Sequence, residues 1–262
     1  MKYLLLTLLI LGISIALGIF FTNLLFKNKK RNIKIILNII FSFMFILGAA
    51  FGYLLPYQKE ETIVYDYCVS DNDLAYVDND DYYAFINKAA DKALIFYSGA
   101  KVSEYAYSPL MNKIAKANID VYVLKLPFHM AIFNSAGAKR IIENNNYQEI
   151  YLGGHSLGGV VASSIKNDKI VGLILLASYP NKKIENISLL SIYGSNDGVL
   201  NIEEYDNNKL NWPKDSQEYV IEGGNHSGFA YYGFQKGDNE ANISNDAQID
   251  ISAKEIINFI HK

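Results

Sequence analysis

Two apolar runs free of charge open the chain. Leu4–Phe26 gives 23 uncharged positions rich in Leu and Ile, and at 1.5 Å rise per residue a helix of that length spans about 35 Å, enough for the hydrocarbon core of a bilayer. The second run, Ile35–Leu55, is also uncharged and of similar length. The pattern predicts a helical hairpin with membrane-spanning helices over about 4–26 and 33–55, so residues 1–59 read as a membrane anchor. A cleaved signal peptide is the competing reading for the first run. Its apolar stretch is long for that purpose, and no small-x-small cleavage site follows it.

After Pro56 the texture changes to short apolar runs separated by polar, periodic stretches. Ala93–Tyr97, Val121–Leu126, Glu149–Leu152, Val171–Ala177, Ser188–Tyr193 and Glu218–Ile221 have the β-rich, largely unbroken hydrophobicity of strands covered on both faces. Between them, Ser108–Ala117, Ser135–Asn144, Gly158–Lys166, Val199–Asn208 and Ala247–Ile260 have helical periodicity. That alternation predicts an α/β domain over residues 60–262: a mostly parallel sheet with helices on both faces. The Tyr-rich segment Thr62–Ile86 reads as an opening set of antiparallel strands.

Charge sharpens the division. The stretch before Glu60 holds seven of the 24 Lys and Arg residues and none of the 27 Asp and Glu, leaving 17 cations against 27 anions in the rest of the chain. So acidic a domain is a poor partner for nucleic acid. Five of the early cations, Lys27, Lys29, Lys30, Arg31 and Lys34, lie between the apolar runs and outweigh Lys2 and the α-amino group ahead of them. The connection is therefore expected in the cytoplasm and the large domain on the other side of the cell membrane. With Cys68 the only cysteine, an internal disulfide and a cysteine-rich zinc site are both excluded.

The chemistry concentrates in three short strings. A predicted strand runs into Gly153-Gly154-His155-Ser156-Leu157-Gly158-Gly159 and then into a predicted helix, so Gly154-x-Ser156-x-Gly158 is a G-x-S-x-G pattern in a strand-turn-helix context. Small residues are needed two positions either side because the serine sits on a sharp, strained turn that lifts its hydroxyl above the sheet. A serine hydroxyl is a weak nucleophile and needs a base. Of the four histidines, His155 lies inside the turn, His129 precedes it and His261 ends the last helix, whereas His226 sits in a Gly-rich loop after a strand, where open α/β sheets place functional loops. An orienting carboxylate is expected between Ser156 and His226, and Asp197, in the turn Tyr193-Gly194-Ser195-Asn196-Asp197-Gly198, meets that need. Glu185, Glu203, Glu204 and Asp206 compete, but the first precedes a strand and the others fall on a helix. Acyl transfer also needs two backbone N–H donors for the oxyanion. Leu157, after the nucleophile, is one. Ala100, in Tyr97-Ser98-Gly99-Ala100-Lys101, is the expected second, with Lys101 as the alternative.

The strings at 154–159, 193–198 and 222–226 together resemble the α/β-hydrolase superfamily, and across residues 60–262 the chain is most similar to its small, lidless bacterial members related to dienelactone hydrolase. The resemblance implies the α/β-hydrolase fold, Ser156 as nucleophile, Asp197 as acid and His226 as base. Dienelactone hydrolases proper use a cysteine nucleophile, so their substrate does not transfer. Ser98-Gly99 also stands where the family usually has His-Gly. The expected activity is that of a membrane-anchored serine hydrolase cleaving carboxylic esters or related acyl compounds through an acyl-enzyme, with no metal or organic cofactor. Acyl transfer to another acceptor uses the same residues, and the fold also permits a catalytically silent domain that binds or scaffolds. Phe229, Tyr231, Tyr232 and Phe234, after the base, are candidates either for an apolar pocket or for packing of their own loop.

Overall fold

The computed structural model describes Lys2–Lys262, with side chains from Leu9 onward. By its internal contacts the chain forms two compact units, one ending at Pro56 and the other spanning Tyr57–Lys262. In the first, both apolar runs are helices, α1 (Lys2–Leu25) and α2 (Arg31–Leu54). Among the described residues α2 is the one helix long and apolar enough to cross a membrane, and Leu9–Leu25 of α1 is a shorter apolar helix. The side chains of Lys2 and Leu4–Leu8, which entered the span and charge arguments above, lie outside the described residues. The two helices pack through Phe21, whose ring centroid lies 5.5 Å from that of Phe45 and 6.4 Å from that of Phe41. Close approach depends on Gly18, where a Cβ would fall 2.2 Å from Ser42 Oγ. Ser14, Thr22 and Ser42 are buried, while Phe20, Ile39 and Phe43 are 58–64% exposed.

The second unit is built on an eight-stranded sheet. Its strands are β1 (Leu74–Asp78), β2 (Tyr82–Asn87), β3 (Lys92–Tyr97), β4 (Ile119–Leu124), β5 (Glu149–His155), β6 (Ile170–Leu176), β7 (Ser188–Gly194) and β8 (Ser216–Ile221). Their spatial order is β1-β2-β4-β3-β5-β6-β7-β8. The β1-β2 and β2-β4 pairs are antiparallel and all the others parallel. Alternation along each strand divides the core between the two faces. On β3, Leu94 and Phe96 join the cluster under α3 (Ser108–Ala115) and α7 (Asn245–Ile260), with Leu110, Met111, Ile256 and Phe259. Ala93, Ile95 and Tyr97 join the opposite cluster with Ile141 and Ile142 of α4 (Gly137–Asn144) and Val161 and Ala162 of α5 (Leu157–Ser163). The central strands are thus buried on both sides, which is why they lack polar alternation.

The remaining helix, α6 (Ile202–Asn208), starts three residues later than expected because Asn201 caps it, accepting from Glu204 N at 3.1 Å. Ser244 caps α7 in the same way, accepting from Ala247 N at 3.2 Å. The expected antiparallel opening holds only from Leu74 onward. Thr62–Asp66 is a 3-10 turn that buries Val64 alone, so its β-branched residues and Tyr65 do not mark a strand. The second unit also begins before residue 60. Gln58 forms a parallel bridge with Val102, through Gln58 N to Lys101 O at 2.7 Å and Ser103 N to Gln58 O at 2.9 Å. Tyr57 stacks on His129 with centroids 3.8 Å apart.

Candidate active site

Strand β5 extends three residues past its expected end and delivers Ser156 directly to the first turn of α5. Ser156 has φ 52° and ψ −124°, a conformation that L-residues avoid and that neighbouring packing must enforce. A Cβ at position 154 would lie 2.4 Å from the Gly158 carbonyl carbon, one at 158 would lie 2.3 Å from Ser98 O, and one at 159 would lie 2.6 Å from Ser178 Oγ. All three glycines are therefore steric requirements of the turn. It is tied to β6 by Ser156 N to Leu176 O at 2.9 Å and by Ser178 Oγ to Ser156 O at 2.7 Å.

Asp197 and His226 meet from two loops, after β7 and after β8 respectively. His226 Nδ1 and Asp197 Oδ2 are 2.8 Å apart, and both side chains are almost fully buried. The other oxygen of Asp197, Oδ1, accepts from Val199 N at 2.8 Å and Leu200 N at 2.7 Å. It is thus both turn former and histidine partner. With Nδ1 engaged, the second ring nitrogen of His226 makes no hydrogen bond among the described residues although it is buried. The His226 ring lies 4.5 Å, centroid to centroid, from that of His155, the residue before Ser156, so His226 stands beside the Ser156 turn.

The remaining histidines are engaged elsewhere. His155 is fully buried, with Nδ1 2.7 Å from Tyr107 Oη, and its ring packs on Phe229. Burial, with the neighbouring His226 second, drives its pKa well below the ordinary histidine value, so it is a neutral part of the floor. Tyr107 Oη also accepts from Gly99 N at 3.0 Å, so one hydroxyl joins His155 to the loop after β3. His129 pairs with the buried Glu104 at 2.8 Å, and His261 contacts Ala117 O at 2.8 Å. Among the competing acids, Glu185 pairs with Lys183 and Asp206 with Lys209. Glu203 and Glu204 stand exposed in the first turn of α6.

The oxyanion loop can be narrowed by its hydrogen bonds. Gly99 N–H is taken by Tyr107, and Lys101 N–H by His129 O at 2.7 Å. Ala100 and Leu157 N–H donate to no acceptor among the described residues. Within this loop Ala100 N–H is thus the one engaged neither by Tyr107 nor by His129. Of the aromatic residues after His226, Phe229, Tyr231 and Tyr232 are buried, and Phe234 is exposed; the three buried rings pack their own loop. Among the described residues no cluster of three or more His, Cys, Asp or Glu is arranged to hold a metal ion.

Three elements escaped sequence reasoning. Tyr107 carried no signal, since its role depends on a contact across the sheet end. Tyr57 was assigned to the anchor. Asp238, whose carboxylate touches both the Asp197 and the His226 loops, lies beyond His226, where a search in Ser-Asp-His order stops.

A sequence model of the alpha/beta hydrolase family matches residues 93–250, more than half of the chain. No curated protein matches it in sequence. Among solved structures, dienelactone hydrolase from Anabaena variabilis superposes with a TM-score of 0.54 at 11% identity, covering 71% of this chain and 99% of its own. Alpha/beta hydrolase domain-containing protein 10 from mouse gives 0.51 at 11% identity, covering 72% and 98%. A Thermus thermophilus protein gives 0.54 at 14% identity, covering 72% and 97%. At such identities these likenesses speak for the fold alone, whereas the family match rests on sequence, and by it the chain belongs to the alpha/beta hydrolase family.

Proposed function

We propose that Tyr57–Lys262 is a serine hydrolase acting on carboxylic esters or related acyl compounds. The observation behind this reading is the buried 2.8 Å contact between His226 Nδ1 and Asp197, beside a serine held in a strained turn. In the reaction Ser156 Oγ attacks the acyl carbon while His226 Nε2 takes its proton. Ala100 and Leu157 N–H receive the developing oxyanion. Collapse returns the proton from His226 to the leaving alcohol and leaves an ester on Ser156. Water, activated by the same nitrogen, then releases the acid. Asp197 fixes the imidazole tautomer and stabilises the imidazolium without becoming protonated.

Substrate size follows from the absence of a cap. No helix is described between Leu176 and Ser188, so the site has no covering element there. An open groove limits the gain from acyl-chain burial, about 0.8 kcal/mol per CH₂, to the first few carbons. We expect kcat/KM on p-nitrophenyl esters to peak at short acyl groups. A steady rise through long chains with activation at a lipid interface contradicts an open site.

The N-terminal unit acts as a two-helix membrane anchor with the hydrolase outside the cytoplasm. Its side chains support this reading: the small polar Ser14, Thr22 and Ser42 are buried at the helix contact beside Phe21, while Phe20, Ile39 and Phe43 face outward, the reverse of a water-soluble pair. The five cations of the connection set the orientation. In a Cys68→Ser background, a cysteine replacing the exposed Lys59 is expected to react with an impermeant maleimide in intact cells. Labelling only after lysis places the domain in the cytoplasm.

A further inference from the structure

We infer that Asp238 is a positioning residue that holds the acid and base loops in register, an inference that rests on reading Asp197 and His226 as the acid and base of the site. The 2.8 Å contact between them joins two loops that follow different strands, and neither loop sets that distance by itself. The Asp238 carboxylate reaches both. Its Oδ1 accepts from Gly198 N, next to the acid, at 3.0 Å and from His226 N at 3.3 Å. Its Oδ2 accepts from Ser227 N at 2.8 Å and from Ser227 Oγ at 2.5 Å. One buried side chain thus clamps the residue after the acid to the base itself.

The surrounding backbone reinforces the clamp. Asn196 Nδ2 donates to Glu240 O at 3.2 Å, Asn225 Nδ2 to Asn239 O at 2.7 Å, and Asn242 N to Gly223 O at 2.7 Å. Residues 238–242 therefore strap both loops from one side. A Cβ on Gly198 would lie 2.8 Å from Asn239 N, which leaves the acid turn no slack against the strap. From beneath, Gln248 of α7 holds Asn225, accepting from its N at 3.0 Å and donating to its O at 2.8 Å. Gln248 thus fixes the base loop alone. The two loops also touch where each begins, Ser195 Oγ accepting from Gly223 N at 2.8 Å and Asn196 N donating to Gly224 O at 2.8 Å, but Asp238 is the side chain that reaches both Gly198, next to the acid, and the base itself.

The chemistry asks for a carboxylate at this place. Burial opposes the charge, but the hydroxyl of Ser227 and the N–H groups of Gly198, Ser227 and His226 outweigh it and hold the carboxyl below its ordinary value. An asparagine offers one acceptor oxygen, so its NH₂ must face the donors of either Gly198 and His226 or Ser227. A buried donor facing a donor is costly, and the strain falls on the register of the two loops.

The test uses the full chain in detergent micelles, with p-nitrophenyl acetate as substrate and a fluorophosphonate as covalent probe. Asp238→Asn is expected to lower kcat about 10-fold with KM changed less than about 2-fold, and to slow probe reaction by the same factor. The downfield proton resonance of the hydrogen bond between His226 Nδ1 and Asp197 should broaden or disappear, which a merely structural role would not cause in a chain that stays folded. If Asp238→Asn does not fold, Ser227→Ala decides. It removes one hydroxyl contact to Asp238 and keeps every backbone donor, and it is expected to shift that resonance and lower kcat about 3-fold. Wild-type kcat and an unmoved resonance in the folded variant overturn the proposal. A wild-type chain inert to the probe defeats the hydrolase reading instead, and the resonance still decides the role of Asp238 because it is read without turnover.

Discussion

Replacing Ser156 by Ala is expected to lower kcat by on the order of 10⁶-fold, the largest effect available in the molecule. The substitution removes the attacking oxygen and leaves the turn intact, because the strain at φ 52° is enforced by Gly154, Gly158 and Gly159 and by the bond to Leu176. What remains, roughly 10³–10⁴ over the uncatalysed rate, comes from the oxyanion donors and substrate positioning. His226→Ala should resemble it, and the double variant should lose little more than either single one, since the two groups act in one step. The measurement is steady-state turnover of a short-chain p-nitrophenyl ester, with circular dichroism to establish that each variant is folded. Losses that multiply in the double variant contradict a shared step.

Asp197→Asn is the second large effect, a fall in kcat of roughly 10⁴-fold with KM little changed. The structure supplies the reason. Val199 N and Leu200 N hold one oxygen of Asp197, and the asparagine oxygen keeps those bonds by taking that position. Its NH₂ then faces His226 Nδ1, which must become an acceptor, so the proton moves to Nε2 and the base can no longer accept from serine. The fold survives and the tautomer is wrong. Glu203→Gln and Asp206→Asn, on α6, should be nearly silent. A variant of Asp197 that keeps more than about a tenth of the activity, while one of these neighbours collapses it, assigns the acid elsewhere.

The parts legible in the sequence were those whose cause is local. The glycines around Ser156 could be read because they fall in one short string at a strand-to-helix turn; Gly154 meets Gly158 within that string, whereas the atoms that Gly158 and Gly159 must clear, at Ser98 and Ser178, come from other loops. The central strands could be read because burial on both faces removes polar positions from a short run. Chain order and the ends of β7 and β8 led to Asp197 and His226 before any distance was known. Contacts between distant segments left no such trace. Tyr57 follows directly on an apolar helix and looks like part of it, yet its ring stacks on His129, in the loop after β4. Tyr107 contacts His155 Nδ1 and occupies Gly99 N–H, and nothing in Tyr105-Ala106-Tyr107 announces that. Thr62–Asp66, at the start of the Tyr-rich segment, shows the opposite failure, since the strand-forming Ile63, Val64 and Tyr65 sit in a turn whose conformation is set by its neighbours.

The central claim is that Ser156 is a nucleophile activated by His226, and covalent capture tests it most directly. The full chain, incubated with a fluorophosphonate and read by intact mass and peptide mapping, should gain one adduct, located on Ser156. Ser156→Ala should abolish the adduct, and Asp197→Asn should slow its formation in proportion to the loss of kcat. An unmodified chain, or an adduct on another residue that persists in Ser156→Ala, contradicts the assignment.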